Sequence, residues 1–259
     1  MTERAIELVK DGPVAKMILN RSAKRNALSE KMWGEIADRV GELAGDRSIR
    51  ALILRGVDRS AFSAGADIAE FDRVHESPRS AEAYRQVVDA AYEAVAGLEI
   101  PTIAMIQGAC FGGGCALSLC CDLRYADSTA RFCIPPAKLG LVYSLKETKR
   151  LADLVGPSHA KEMLMGAYVV DAEEALRIGL ASRLFDAEEL ERETCDFAKR
   201  LADLSQATIG AVKVMMNEIA KGVSAENEVS RRLVGAQFES ADYIEGRRAF
   251  LEKRKPNFS

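Results

Sequence analysis

This chain has few histidine and tryptophan residues and a small net charge. Its 259 residues include two histidines and one tryptophan, aromatic residues make up 6%, and the net charge is −3. A chain this close to neutral lacks the basic surface that nucleic-acid binding requires, so we expect no nucleic-acid partner. With two histidines and no Cys-x-x-Cys pair, the sequence offers little basis for a metal site.

Long apolar runs are absent as well. No run approaches the ~20 residues that span a bilayer, and the start of the chain lacks the basic and apolar regions of a secretion signal. We therefore expect a cytoplasmic protein without a membrane partner. The six cysteines lie mostly in apolar stretches, which favours small buried hydrophobic residues over a catalytic thiol.

Two segments of small residues are the most informative feature that is present. One spans residues 61–68 (Ala-Phe-Ser-Ala-Gly-Ala-Asp-Ile) and the other spans residues 108–117, with the run Gly112-Gly113-Gly114. Each follows an apolar run typical of a buried strand and precedes a predicted helix. Small residues let a ligand carbonyl approach backbone N–H groups, which are free at the start of a helix. Two such donors can polarise one oxygen, so the pair predicts chemistry at a carbonyl group.

Hydrophobic periodicity predicts an α/β fold with a helical C-terminal region. The predicted strands are Ile6–Val9, Ala15–Leu19, Ala51–Leu54, Thr102–Ile106 and Leu123–Ala126. The predicted helices of the first half are one that Ser29 caps and that ends near Ala44, then Glu82–Leu98 and Gly113–Cys121. Beyond Leu145 the pattern is mainly helical: Leu145–Leu154, Pro157–Met165, Ala172–Ile178, Leu190–Leu201, Ile209–Lys221 and one stretch over Ala225–Lys253.

These segments resemble the enoyl-CoA hydratase/isomerase (crotonase) family over nearly the whole chain. The motifs that carry the resemblance are Asn20-Arg21…Asn26-Ala27-Leu28, Phe62–Ile68, Phe111–Gly114, Cys121–Arg124, Ala137–Gly140 and Ala249–Phe258. The resemblance implies a spiral of ββα repeats over residues 1–195, with the acyl-CoA site, and a helical trimerisation region over residues 196–259. It also implies an acyl-CoA thioester substrate, no permanently bound cofactor, and a homotrimer or a hexamer of two trimers.

The resemblance also assigns site residues. The backbone N–H groups of Ala66 and Gly113 match the family's oxyanion hole, which would stabilise an enolate-like thioester oxygen. The residues that match coenzyme A contacts are Lys24, Arg25, Ala27, Ala64, Asp67, Ile68 and Lys253. By their own sequence context, Lys24, Arg25 and Lys253 fit solvent-exposed charges better than ligand contacts, and Asp67 fits a carboxylate that holds the loop.

The chain departs from the family at the two glutamates that handle protons in hydratases. Those positions are occupied by Ala116 and Pro136, and neither side chain can transfer a proton. The segment 141–147 resembles the methylmalonyl-CoA decarboxylase branch, which also has proline at the Pro136 position and tyrosine at the Tyr143 position. That branch has glutamate at the Ala116 position and histidine at the Ala66 position, which this chain lacks.

Tyr143 is the side-chain candidate that remains, because a phenol can bond a carboxylate or donate a proton to an enolate. The same ring could equally cap the core. Ser144 and Glu147 predict a capping box for the helix that follows. Three functions stay open: an acyl-CoA enzyme that works through an enolate, a malonyl-type acyl-CoA decarboxylase that uses Tyr143, and a catalytically weak acyl-CoA-binding protein.

Overall fold

Strands and helices alternate through the first 185 residues, and helices follow. The structure is a computed structural model that describes residues 4–258. The strands are β1 (Ile6–Asp11), β2 (Val14–Leu19), β3 (Ala51–Gly56), β4 (Ala61–Ser63), β5 (Thr102–Ile106), β6 (Ala109–Phe111), β7 (Leu123–Asp127), β8 (Arg131–Cys133), β9 (Val170–Asp171) and β10 (Arg183–Phe185). The helices are α1 (Glu30–Ala44), α2 (Phe71–Val74), α3 (Pro78–Gly97), α4 (Gly112–Ser118), α5 (Pro136–Leu139), α6 (Leu145–Gly166), α7 (Ala172–Arg177), α8 (Leu190–Ala202), α9 (Gln206–Ala220), α10 (Glu228–Ala236) and α11 (Ala241–Leu251). Among the helices of residues 4–258, none combines the length and the apolar character needed to cross a membrane.

The chain adds strands to two sheets in turn. One sheet has six strands in the order β1-β2-β3-β5-β7-β10, and the other has four in the order β4-β6-β8-β9. Helices α2 and α3 follow β3 and β4, α4 follows β5 and β6, and α5 follows β7 and β8. This repeated strand–strand–helix unit is the spiral that the resemblance implies, and the predicted α/β fold class is confirmed.

Apolar side chains cover both faces of the six-stranded sheet. In β3, Leu52 and Leu54 belong to the larger core cluster, which also contains Trp33 of α1 and Tyr92 of α3. The alternate residues of the same strand, such as Ile53, belong to a second cluster beneath α8. This division follows from the alternation of side chains along a strand.

Side-chain caps determine where several helices begin. Ser29 accepts a hydrogen bond from the N–H of Met32, as predicted for α1. Helix α3 begins at Pro78 rather than at the predicted Glu82, because Ser77 forms a capping box with Ser80 and Pro78 takes the first helical position. The predicted capping box of Ser144 and Glu147 is present at the start of α6.

The sequence pattern missed the four-stranded sheet entirely. Its strands contain only two or three residues, too few to show the alternation by which a strand is detected. The region 56–65, which has no periodic pattern and so reads as a loop from sequence, contains β4. This omission matters because β4 and β6 lead directly into the two segments of small residues.

Two further helix predictions were inaccurate, and one pair of predicted helices was correct. The helix predicted over Ala225–Lys253 is wrong: α10, a 3-10 helix and α11 follow one another, and the hydroxyl of Ser240 caps the last of them. The two helices predicted on either side of residue 156 are confirmed as the two parts of α6, which is broken where Gly156 adopts φ 79°. Helix α4 ends at Ser118 rather than at Cys121.

The predicted division of the chain between residues 195 and 196 falls inside α8. Leu190 and Ala198 of this helix both belong to the core cluster beneath the six-stranded sheet. Because these residues pack against the six-stranded sheet, α8 is part of the spiral core. We accordingly propose that the helical C-terminal region begins at α9.

Gly114 should tolerate no larger side chain, because a Cβ there would lie 2.5 Å from the Cβ of Ser63 in β4. We expect Gly114→Ala to lower the free energy of unfolding by about 1–3 kcal/mol, as the crowded backbone must shift. In the control, Gly34→Ala on α1, a Cβ would meet nothing within 4 Å, and stability should rise by up to ~1 kcal/mol. Urea denaturation measures both, and equal stabilities would contradict the close approach of α4 to β4.

Candidate active site

The loop after β4 is held by the segment 20–28 through backbone hydrogen bonds. The N–H of Leu28 donates to the carbonyl of Gly65 (2.7 Å), and the N–H of Asp67 donates to the carbonyl of Leu28 (2.9 Å). Leu28 thus bonds to the carbonyl of the residue before Ala66 and to the N–H of the residue after it. The N–H of Ala66 itself donates to no acceptor within residues 4–258.

Buried polar side chains fix the same loop. The amide of Asn26 donates to the carbonyl of Ala61 (2.8 Å) and accepts from the backbone N–H of Arg21 (2.9 Å). The guanidinium of Arg21 lies 2.6 Å from the carboxylate of Asp67, which also accepts from the N–H of Ala69. The hydrogen bond from Arg21 lowers the pKa of Asp67. The prediction that Asp67 holds this loop is confirmed.

The second segment of small residues meets the first at one edge of the four-stranded sheet. Because β6 pairs in parallel with β4, their carboxyl ends lie side by side. A Cβ on Gly65, which adopts φ 99°, would lie 3.0 Å from the carbonyl oxygen of Phe111 and 3.5 Å from the nitrogen of Gly113. Only glycine at position 65 allows this approach. In the described part of the chain, the N–H of Gly113 also has no acceptor.

Tyr143 lies beside the point where these segments meet. Its hydroxyl oxygen is 3.8 Å from the position that a Cβ on Gly112 would take, and its ring packs against the core. Burial raises the pKa of Tyr143 well above 10, and the nearby carboxylate of Glu147 raises it further. The phenol is therefore protonated at neutral pH and can act as a donor but not as a base.

The two positions that the resemblance matches to the family's glutamates are both buried. Ala116 lies within α4 and Pro136 is the first residue of α5. Glu147 is a nearby carboxylate, but its Oε2 accepts from both the N–H (3.0 Å) and the hydroxyl (2.8 Å) of Ser144. The carboxylate of Glu147 is thus part of the capping box of α6, in which Ser144 is the N-cap.

The predicted coenzyme A contacts lie on one surface, except for Lys253. The N–H of Ala64 donates to the carbonyl of Arg25 (2.9 Å), which joins the stretch 24–27 to the stretch 64–68. Lys24 and Arg25 are exposed, and Ile68 is 59% exposed. Lys253 follows α11, and within residues 4–258 no side-chain hydrogen bond or ion pair links it to that surface.

Matches to known proteins span the chain. A family model described as enoyl-CoA hydratase/isomerase matches residues 10–259. The chain belongs to the enoyl-CoA hydratase/isomerase family. It is 35% identical to a crotonyl-CoA hydratase from Syntrophomonas wolfei, over 100% of this chain and 99% of the relative. A short-chain-enoyl-CoA hydratase from Clostridium acetobutylicum is 32% identical, over 96% and 95% of the two chains.

The fold agrees with solved structures of this family. The chain matches an enoyl-CoA hydratase/carnitine racemase from Magnetospirillum magneticum with a TM-score of 0.95 and 33% identity, over 100% of this chain and 96% of the other. The predicted family and fold class are therefore confirmed, and the chain is assigned to acyl-CoA enzymes of the enoyl-CoA hydratase/isomerase type.

The cysteines and histidines lie outside this chemistry. Five of the six cysteines are buried, as predicted, and Cys195 is half-buried. Burial raises the pKa of Cys120 to about 12. Among the residues that the structure describes, no three histidine, cysteine, aspartate or glutamate side chains form a cluster suited to a metal ion. His75 is exposed, although its ring packs against Phe71 and Tyr84.

The sequence pattern did not single out Tyr92, whose hydroxyl donates to the carbonyl of Gly113 (3.1 Å). It placed Trp33 only on the apolar face of α1. The indole of Trp33 lies 3.1 Å from the position of a Cβ on Gly113. The sequence does contain one sign that Tyr92 faces the core. Tyr92 lies four residues after Val88 and eight after Tyr84, so the three share one row along α3.

The ion pair of Arg21 and Asp67 should make the stability of the protein depend on acid pH. Since the pKa of Asp67 is lowered in the folded state, its contribution is present above the unfolded value of 3.8 and is lost as the pH falls through the lower folded value. We expect Asp67→Asn to cost about 1 kcal/mol at pH 7, because a charged hydrogen bond becomes a neutral one.

Chemical denaturation at several pH values measures this effect. The difference between wild type and Asp67→Asn should shrink steadily below pH 3.8. The control is Asp72→Asn, which removes an exposed carboxylate nearby in the sequence and should leave stability within about 0.5 kcal/mol of wild type. A cost of Asp67→Asn that does not vary with pH would show that the ion pair contributes nothing.

Proposed function

We propose that this protein stabilises the enolate of an acyl-CoA thioester, with the N–H groups of Ala66 and Gly113 donating to the thioester oxygen. The observation that supports this most is the meeting of two backbone segments, each with an N–H that has no acceptor within residues 4–258. Both residues are half-buried rather than enclosed. Donors fixed in advance stabilise developing negative charge more than mobile water does, because they need no reorganisation.

In this proposal Tyr143 handles the proton. Its phenol is protonated at neutral pH and lies close to Gly112, so it can donate to the α-carbon of the enolate or to a substrate carboxylate. Hydration by two carboxylates is not supported, because Ala116 and Pro136 occupy the positions concerned. A reaction that needs a proton donor and no strong base fits these residues best.

Decarboxylation of a malonyl-type thioester is the reaction with this requirement, and we propose it as the second candidate. The bond between the α-carbon and the carboxylate breaks, carbon dioxide leaves, and the electron pair of that bond forms the enolate. A proton passes from Tyr143 to the α-carbon, and water reprotonates the phenolate. The supporting observation is the protonated phenol at a site whose two glutamate positions carry an alanine and a proline.

Coenzyme A binding is proposed along the exposed surface next to the loop after β4. The ammonium of Lys24 and the guanidinium of Arg25 would attract its phosphates, while the backbone of Ala27, Ala64 and Asp67 and the exposed side chain of Ile68 would contact the rest. The carboxylate of Asp67 is bonded to Arg21, its N–H donates to Leu28 and its carbonyl accepts from Glu70, so the ligand would contact Asp67 by packing.

A homotrimer, or a hexamer of two trimers, is proposed as the assembly. Apolar side chains are exposed on α9, α11 and the residues between, among them Met216, Ile219, Phe238, Ile244 and Phe250. A large exposed apolar surface is typical of a face that another subunit covers. Lys253, which follows α11, could then reach the site of a neighbouring subunit. Light scattering distinguishes this assembly from a monomer.

Removal of the N–H of Gly113 tests the proposed oxyanion hole. We expect Gly113→Pro to lower the rate of deuterium incorporation from D2O at the α-carbon by about 100- to 1,000-fold. The control is Gly113→Ala, because it adds the same Cβ against Trp33 but retains the N–H. Mass spectrometry of a panel of acyl-, enoyl- and malonyl-type CoA thioesters measures the incorporation.

The two variants separate the possible explanations. Equal rates for Gly113→Pro and Gly113→Ala would show that this N–H is not a donor in the reaction. Tight binding of every thioester by wild-type protein without incorporation would instead identify an acyl-CoA-binding protein.

Tyr143→Phe tests the decarboxylation proposal. We expect wild-type protein to release label from carboxyl-labelled malonyl-type CoA, and Tyr143→Phe to release it about 100-fold more slowly, since general acid catalysis typically contributes a factor of this order. Affinity for coenzyme A should remain unchanged, because the phenol is proposed to act on the acyl group, while Lys24 and Arg25 are proposed to hold the phosphates. Absence of label release by wild type would exclude decarboxylation, and an unchanged rate in the variant would exclude Tyr143 from the reaction.

A further inference from the structure

The first turn of α4 begins with Gly112, Gly113 and Gly114, which contribute no side chains to hold it. Its N-cap residue, Phe111, makes no capping hydrogen bond through its side chain. Glycine has the largest conformational freedom of any residue. The direction of the Gly113 N–H must therefore be fixed by groups from other elements.

Two aromatic residues from α1 and α3 meet Gly113 on one side. The hydroxyl of Tyr92 donates to the carbonyl of Gly113 over 3.1 Å, and the indole of Trp33 lies 3.1 Å from the position of a Cβ on Gly113. The two rings pack edge to face, with centroids 5.3 Å apart, and both are at least 98% buried. This geometry leaves Gly113 little room to move toward the core.

The loop after β4 meets the same turn. A Cβ on Gly65 would lie 3.5 Å from the nitrogen of Gly113, and Ser63 lies against Gly114. The first turn of α4 is thus confined between the loop and the aromatic pair. Tyr92 makes the one side-chain hydrogen bond to the backbone of Gly113 within residues 4–258.

The hydroxyl of Tyr92 is a permanent donor. Burial raises the pKa of Tyr92 well above 10, so the O–H keeps its proton throughout the physiological range. A fixed carbonyl on Gly113 restricts the ψ angle of that residue, and the packing of Trp33 restricts its displacement. Together these restraints hold the nitrogen of Gly113 in place and leave the direction of its N–H only the φ angle of that residue in which to vary.

We infer that Tyr92 is a positioning residue for the oxyanion hole, because its bond to the Gly113 carbonyl aims the Gly113 N–H at the thioester oxygen. This inference rests on the proposed function, since it assigns a support to the same donor. Tyr92 does not touch the substrate and acts only through Gly113. Loss of its hydroxyl should weaken polarisation of the bound carbonyl without weakening the binding of coenzyme A.

Tyr92→Phe tests this, because the variant keeps the ring against Trp33 and removes only the hydroxyl. The probe is butyryl-CoA labelled with carbon-13 at its carbonyl, a saturated thioester whose NMR resonance moves downfield when donors polarise the oxygen. We expect the variant to lose about half of that shift or more, and to form deuterated product from a malonyl-type CoA in D2O about tenfold more slowly. Its Kd for butyryl-CoA should stay within about twofold of wild type.

The control is Tyr125→Phe, which removes another buried tyrosine hydroxyl. Tyr125 belongs to the core cluster beneath α8, where it packs against Phe185 and Phe197. The control should keep the full carbonyl shift and the wild-type rate. Thermal unfolding verifies that both variants are folded, and a loss of stability alone would not change the shift of the bound carbonyl.

Two outcomes overturn the inference, and they differ in whether the proposed function also fails. If wild type shows a downfield shift and Tyr92→Phe shows the same shift and rate, the hydroxyl has no positioning role and the proposed function stands. If wild type binds butyryl-CoA without any shift, the proposed oxyanion hole is wrong and the role of Tyr92 is wrong with it.

Discussion

The rest of the site depends on the close approach of two backbones, the loop after β4 and the first turn of α4. A Cβ on Gly65 would lie 3.5 Å from the nitrogen of Gly113, and a Cβ on Gly114 would lie 2.5 Å from that of Ser63. Side chains at positions 65 and 114 would force the segments apart. Their parallel strands, β4 and β6, bring them to one edge of the sheet, and the missing side chains let them meet there.

Other elements hold this contact from both sides. The segment 20–28 fixes the loop through Asn26 and through the ion pair of Arg21 with Asp67, while Trp33 and Tyr92 confine the first turn of α4. The donors themselves are backbone N–H groups, so nearly all the side chains that matter here act on the shape of the backbone. Tyr143 is the exception, as a protonated phenol beside Gly112. The proposed chemistry follows from this arrangement: fixed donors for an oxygen that gains charge, and a proton donor in place of a carboxylate pair.

Much of this could be predicted from the sequence, because some features depend on local chemistry. The cap of α1 at Ser29, the capping box of Ser144 and Glu147, and five of the six strands of the larger sheet follow from neighbouring residues or from periodicity. The sixth strand, β10, has three residues and was not predicted. The four-stranded sheet could not be predicted in this way, because strands of two or three residues show no period. The start of α3 was misplaced because the capping box of Ser77 lies before the apolar row that marks the helix.

The sequence by itself determined the family, the α/β fold class, the positions of the two glycine-containing segments, and the absence of glutamate at positions 116 and 136. These features are properties of residue identity and order, which need no coordinates. Only the tertiary structure decided that the two segments meet, that the N–H groups of Ala66 and Gly113 lack acceptors within residues 4–258, and that Tyr92 and Tyr143 lie beside them. The physical reason is that these contacts join groups far apart in the sequence: Tyr92 and Gly113 are 21 residues apart, and Gly65 and Gly113 are 48 residues apart. Distances of that kind are set by the packing of whole helices and sheets, and no local pattern encodes them.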